Sequence, residues 1–222
     1  MFLKRELLSC MTDADVDGII RIKQADGGMD VKPTERQKER YTYQDYVKWD
    51  GRWELINGTP YNMAPAPSFV HQSIVGELYV ALRAFFREKG CTVVMAPFDV
   101  RLDEQGDYEQ AKHVVQPDIS VICDQSQIGS RGCDGPPNLV VEVLSPSTAL
   151  RDRNEKYMLY EQFGVKEYWI VDPLHRTVEV YGCGEKGYER RNVFGECDAL
   201  VSFLFAELSV PLADIFQSNN RE

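Results

Sequence analysis

The chain has 222 residues, with 25 Lys+Arg against 35 Asp+Glu and a formal net charge of −10. Hydrophobic residues make up 43% and charged residues 27%, a balance that excludes general disorder and supports one or two folded domains of ordinary size. No stretch approaches the ~20 apolar residues of a membrane span, and the acidic total argues against a nucleic-acid partner, whose phosphates normally meet a basic surface.

Residues 1–40 read as an N-terminal extension, partly ordered or disordered. They hold eight basic and eight acidic residues, so the whole of the −10 belongs to the remainder. The opening Met1-Phe2-Leu3-Lys4-Arg5-Glu6 lacks the apolar run and cleavage site of a signal peptide, which predicts a cytoplasmic protein. Asp13-x-Asp15-x-Asp17-Gly18 has the spacing of a calcium loop only in part, with Gln24 where the twelfth-position Glu belongs, so an EF-hand is set aside.

The main domain is expected over residues 41–216, with 217–222 as a tail. Thr42-x-x-Asp45 resembles a capping box opening a short helix. Trp53–Ile56 reads as a strand, and Asn57-Gly58 as a hairpin turn into a second strand, Tyr61–Ala64. From Ser68 to Lys89, Ile74, Val75, Leu78, Leu82, Phe85 and Phe86 recur at helical spacing until Gly90 stops the helix. Strand-like runs follow at Thr92–Leu102, Val114–Cys123 and Leu139–Leu144, separated by polar loops at Asp103–Lys112 and Asp124–Pro137. A second helix spans Thr148 to Phe163, then strands at Glu167–Val171, Thr177–Tyr181 and Tyr188–Val193, with Val210–Phe216 closing the domain. Helices set apart from mostly antiparallel strands predict an α+β or mixed α/β fold. The six cysteines are scattered without a C-x-x-C pair and read as reduced, structural thiols.

Two acids stand where apolar residues belong. Glu142 is the only polar side chain in Leu139–Leu144, a strand of the type covered on both faces. An ionised carboxylate there needs a cation or a donor. Asp118 sits in a second strand, within Gln116-Pro117-Asp118-Ile119-Ser120-Val121-Ile122, with Ile119 and Val121 on the alternate face, and neighbouring strands place facing side chains ~5 Å apart. Each acid alone is compatible with an Arg partner or a turn cap; together they favour a divalent-metal site. The helix that follows Glu142 carries Arg151, Asp152, Arg153, Glu155 and Lys156. Its first turns emerge beside that strand's end, so Arg151 and Arg153 put local positive charge next to the acids. Asp152 and Lys156 also have the i,i+4 spacing of a surface pair.

Trp53-Glu54-Leu55-Ile56-Asn57-Gly58, Pro117-Asp118-Ile119, Val141-Glu142-Val143-Leu144-Ser145-Pro146-Ser147-Thr148, Asp152-x-x-x-Lys156 and Gly164-Val165-x-Glu167-Tyr168-Trp169-Ile170-Val171-Asp172-Pro173 together resemble the Uma-two family of restriction-endonuclease-like proteins, in the PD-(D/E)xK nuclease superfamily. The resemblance runs from about Tyr41 to Phe216. It implies a mixed central β-sheet flanked by helices with additional antiparallel strands, DNA phosphodiester hydrolysis dependent on Mg²⁺ or Mn²⁺, and a homodimer. It makes Asp118 and Glu142 the metal ligands. The lysine expected two residues after Glu142 is Leu144 here, and Lys156 matches the helix lysine that replaces it. Glu54 matches an additional acid of such nucleases, with a solvated strand acid as the alternative, and His71 matches a substrate-contact position. Arg151 and Arg153 are the further candidates for substrate binding.

Three functions follow as expectations: an endonuclease, a catalytically inactive DNA-binding or scaffold protein on the same fold, and, more weakly, a carboxylate-pair glycosidase that leaves Lys156 without a role. The bulk charge then predicts weak, salt-sensitive, metal-dependent DNA binding.

Overall fold

Prolines decide how the strands are shared out in the computed structural model, which describes residues 40–217. Helix α1 (Tyr43–Tyr46) opens as expected, with Asp45 Oδ2 accepting the Thr42 N–H at 3.0 Å. Strands β1 (Trp53–Ile56) and β2 (Thr59–Asn62) form the hairpin. Its turn residues Asn57 and Gly58 have φ of 49° and 74°, the left-handed pair that a two-residue hairpin turn requires. Helix α2 (Phe69–Phe86) follows, capped by Ser68 Oγ. The run 92–102 then breaks at Pro97 into β3 (Thr92–Met95) and β4 (Val100–Leu102), and the run 113–122 breaks at Pro117 into β5 (His113–Val115) and β6 (Ile119–Ile122). A proline cannot donate to a ladder, and at each break the chain crosses from one sheet to another.

The loop expected over 124–137 contains two short strands, β7 (Ile128–Gly129) and β8 (Gly132–Asp134), before β9 (Leu139–Val143). The second helix is assembled from α3 (Ala149–Arg151), a π-helical turn (Asp152–Lys156) and α4 (Tyr157–Gln162). Then come β10 (Glu167–Asp172), β11 (Thr177–Gly184), β12 (Gly187–Gly195), β13 (Ala199–Val201), β14 (Ser209–Pro211) and α5 (Leu212–Phe216).

The fold is mixed α+β. Its strands form one six-stranded sheet, β2-β1-β5-β4-β8-β7, a second, mixed six-stranded sheet, β12-β11-β10-β9-β6-β3, and a separate ribbon of β13 and β14. β9 and β10 are parallel, as two strands joined by a crossover helix must be. One face of the second sheet (Ile119, Val121, Leu139, Val141, Val143, Trp169, Val171) packs on α2 through Ile74, Val75, Leu78, Leu82 and Phe86 and on α5 through Leu212, Ile215 and Phe216. Each such side chain removed from water contributes roughly 1.5–3 kcal/mol, so α2 is held by its apolar stripe. The opposite face (Ile122, Val140, Tyr168, Ile170) shares a second core with Ile56, Val100, Leu102 and Val115 of the first sheet and with Leu159 and Tyr160 of α4. Strand alternation therefore turns Glu142, between Val141 and Val143, toward this second core. It does the same for Glu54, two residues before Ile56.

The cysteine expectation needs correction. The antiparallel register Thr92↔Ile122 sets Cys91 opposite Cys123 one step further on, and the two form a disulfide. Among the described residues Cys133, Cys183 and Cys197 are free thiols. Disulfides persist mainly in oxidising compartments, so cysteine usage lends no support to a reducing one. All but Arg40 of the expected extension over 1–40, with Asp13–Gly18 and Cys10 within it, and all but Gln217 of the expected tail lie outside the described residues. Among the described residues no helix is long and apolar enough to cross a membrane.

Candidate active site

Glu142 is buried (4% exposed), and the helix that covers its face of the sheet brings it a cation. Lys156 Nζ donates to Glu142 Oε1 at 2.8 Å and lies 2.7 Å from Glu54 Oε1 and 3.8 Å from Asp152 Oδ1. Tyr160, one helical turn beyond Lys156, donates its hydroxyl to the same Glu142 oxygen at 2.7 Å. The π-helical turn buries both Asp152 and Lys156 on the inner side, and the Tyr168 hydroxyl braces it by donating to the Asp152 carbonyl at 3.1 Å. Such turns recur at functional sites. On the facing sheet, the Gln116 N–H donates to Glu54 Oε1 at 2.9 Å, and Arg151 lies 3.8 Å from Glu54 Oε2. Glu54 is thus a buried member of the cluster, not a solvated strand acid.

The electrostatics follow from the burial. Desolvation raises the pKa of Glu142 above the usual carboxylate range; Lys156 opposes the shift while Asp152, Asp118 and Glu54 add to it. Burial likewise raises Asp152, again against Lys156. For Lys156, burial pulls the pKa down, but the surrounding Glu142, Glu54 and Asp152 carry it well above the ordinary lysine value. Lys156 is therefore a fixed ammonium, held in place by acids.

Asp118 comes to the same place from the neighbouring strand. The register Ile119↔Val141 of β6 against β9 sets Asp118 opposite Glu142. Its Oδ2 accepts the Val143 N–H at 2.8 Å and lies 3.2 Å from His71 Nε2. Asp118 keeps 18% of its side chain exposed, and Arg151, stacked over the Tyr61 ring at 4.1 Å, keeps 19%. These two residues form the opening of an otherwise closed cluster. His71, in the first turn of α2, is buried against Asp118. Arg153 is not brought to the acids; it pairs with Glu179 and lies 3.6 Å from Asp172 on the other side of the helix.

The sequence offered Asp152 as half of a surface pair and gave Tyr160 no place at the site. The i, i+4, i+8 spacing of Asp152, Lys156 and Tyr160 was the available signal, because it places all three on one helical face. Nothing in the sequence pointed to Gln116, which acts on Glu54 through its backbone.

Among the described residues no three His, Cys, Asp or Glu side chains are gathered in a geometry that holds a metal ion. The donor chemistry nevertheless suits a hard divalent cation. Four carboxylates (Glu54, Asp118, Glu142 and Asp152) stand against Lys156 and Arg151, and both Asp152 carboxylate oxygens are buried without a hydrogen bond. Mg²⁺ commonly takes only one or two carboxylates, completing its shell with water and substrate phosphate oxygens. The facing pair Asp118 and Glu142 meets that requirement.

Facing acids at neighbouring strands, with a lysine brought to Glu142 by the helix that follows β9, belong to a restriction-endonuclease-like fold. Residues 41–213 match the sequence model of the Uma2 family, described as "Putative restriction endonuclease", and the chain belongs to this family. An uncharacterised Synechocystis protein is 38% identical over 72 residues, a match covering 32% of this chain and 38% of that protein's length. The crystal structure of an Anabaena variabilis protein described as a putative nuclease superposes with a TM-score of 0.63 at 23% identity. It covers 79% of this chain and 97% of the other, a likeness of fold.

Proposed function

We propose that the protein is an endonuclease that hydrolyses DNA phosphodiester bonds with Mg²⁺ or Mn²⁺ held by Asp118 and Glu142. The observation that carries the reading is the convergence of Glu142 and Glu54 on the buried Lys156 ammonium, 2.8 and 2.7 Å away, directly beside Asp118. Family membership supports it. When bound, the metal supplies Lewis-acid polarisation of the phosphate and a more acidic water.

The protein's own groups do the rest. Lys156, held as an ammonium by the acids around it, stabilises negative charge on the phosphate and orients the attacking water. Glu54 and Tyr160 fix Lys156 and Glu142 respectively, so neither has to reorganise as charge develops. Arg151, at the opening, receives a flanking phosphate. Arg153, already paired, has no part in this reading, and a homodimer supplies one such site for each DNA strand.

The test incubates purified protein with supercoiled and linear DNA in Mg²⁺ or Mn²⁺. Cleavage is expected, falling about a hundredfold or more in Asp118→Asn and Glu142→Gln. Metal binding and DNA affinity without cleavage would assign the chain to the binding or scaffold class instead. Cleavage unchanged in both variants would sink the assignment of the site.

A further inference from the structure

His71 has the environment of a group that works on a neighbour and not on a ligand. It lies in the first turn of α2, with its backbone N–H fixed by Ser68 Oγ at 3.2 Å, and only 7% of its side chain is exposed. That leaves no surface for DNA to touch. Nε2 is 3.2 Å from Asp118 Oδ2, an oxygen that also accepts the Val143 N–H at 2.8 Å. Nδ1 is buried without a hydrogen-bond partner. A buried ring nitrogen that faces a carboxylate oxygen must carry the hydrogen, since two lone pairs in contact repel. Nε2 is then the donor to Asp118 in either protonation state, with the Val143 backbone as a second polar neighbour of the ring.

The consequence falls on Asp118. Its backbone carbonyl accepts the Ala96 N–H at 3.1 Å, and its Oδ2 is held from two directions, by β9 through Val143 and by α2 through His71. Asp118 Oδ1 makes no hydrogen bond within the described residues. A carboxylate held by one oxygen presents the other in a fixed direction, and it does so without a rotamer search when a cation arrives. Partners of this kind set the orientation of metal-ligating groups, and losing one weakens metal binding by ~10–100-fold.

We infer that His71 is a positioning residue, whose Nε2–H fixes the Asp118 carboxylate so that Oδ1 is presented to a divalent cation. This rests on the metal-site reading above and replaces the substrate-contact role that the sequence suggested for His71.

The test is Mn²⁺ titration calorimetry, without DNA, on the wild type and two variants. Glutamine carries its side-chain nitrogen near the place of Nε2, whereas asparagine carries it near Nδ1. His71→Gln should therefore keep Mn²⁺ affinity near wild type, and His71→Asn should lose ~10–100-fold at a similar unfolding temperature. Equal affinity in all three proteins, or equal loss in both variants, overturns the inference while leaving the metal site standing. A wild type that binds no Mn²⁺ removes the metal-site reading itself, and the inference with it. Nitrogen NMR of the wild-type ring needs no variant to fold: Nε2 must be protonated in the neutral form, and an Nδ1–H tautomer overturns the proposal.

Discussion

Glu142 and Glu167 lie on the neighbouring parallel strands β9 and β10, at 4% and 0% exposure, and the fold satisfies them in opposite ways. Glu167 accepts four neutral donors: Trp169 Nε1 at 2.6 Å, the Ser202 hydroxyl at 2.7 Å, and the Phe203 and Leu204 N–H groups at 3.1 and 2.7 Å. Both its oxygens are used, and it ties the segment after β13 to the start of β10. Glu142 has both its partners, Lys156 and Tyr160, on a single oxygen, inside a cluster with more acids than cations. Dipoles that converge on a carboxylate solvate it where it stands, which is what an anchor needs. A carboxylate tied by one oxygen to a shared ammonium keeps coordinating capacity in reserve, which is what a metal site needs.

The sharpest way to break this contrast is Lys156→Met. Removing one partner of a buried ionic cluster strands the others, at about 3–5 kcal/mol. Urea unfolding should show a loss of that size together with loss of cleavage. Adding Glu142→Gln to the Lys156→Met protein should then recover part of the stability, though none of the cleavage, because one stranded charge has been removed. A Lys156→Met protein as stable as the wild type would mean that the acids are not held by the ammonium.

Glu167→Ala should come next, at about 2–3 kcal/mol, as buried donors lose their acceptor. Here the functional readout separates the two acids. Cleavage per folded molecule should be unchanged, since Glu167 faces the α2 side of the sheet with Trp169 and Val171 while Glu142 faces the other. A large loss of cleavage in a folded Glu167→Ala protein would erase the distinction between anchor and site.

That distinction was only half legible in the sequence. Glu142 declared itself as a polar residue in an apolar strand, and the α2 stripe and the Asn57-Gly58 turn follow from periodicity and turn chemistry that act locally. Glu167 looked like an ordinary strand residue, because three of its four donors come from residues 202–204, more than thirty positions away. Non-local partners also hid the Cys91–Cys123 pair, the exchange of strands between sheets at Pro97 and Pro117, and the turning of Arg153 toward Glu179. A charge on a helix can be assigned a face from its spacing, but not the side of that face on which a partner from another strand will lie.

The smallest effect concerns the acid limb of the stability curve, where a half-buried histidine outside the carboxylate cluster titrates. His113 Nδ1 accepts the Asn57 N–H at 3.1 Å, and its ring packs edge-on against Phe163. Burial lowers its pKa below the ordinary histidine value, and Glu104 and Asp103 only partly oppose this. The folded state therefore binds fewer protons than the unfolded state. The neutral ring's contribution is fully present above the unfolded pKa of about 6.5 and is lost as pH falls through the folded value. It is worth at most the ~1 kcal/mol of one neutral hydrogen bond. In His113→Asn, whose Oδ1 can still accept the Asn57 N–H, denaturant unfolding should show a shallower decline below about pH 6.5 and no change in slope at higher pH. An unaltered slope in His113→Asn would show that the ring is not held neutral.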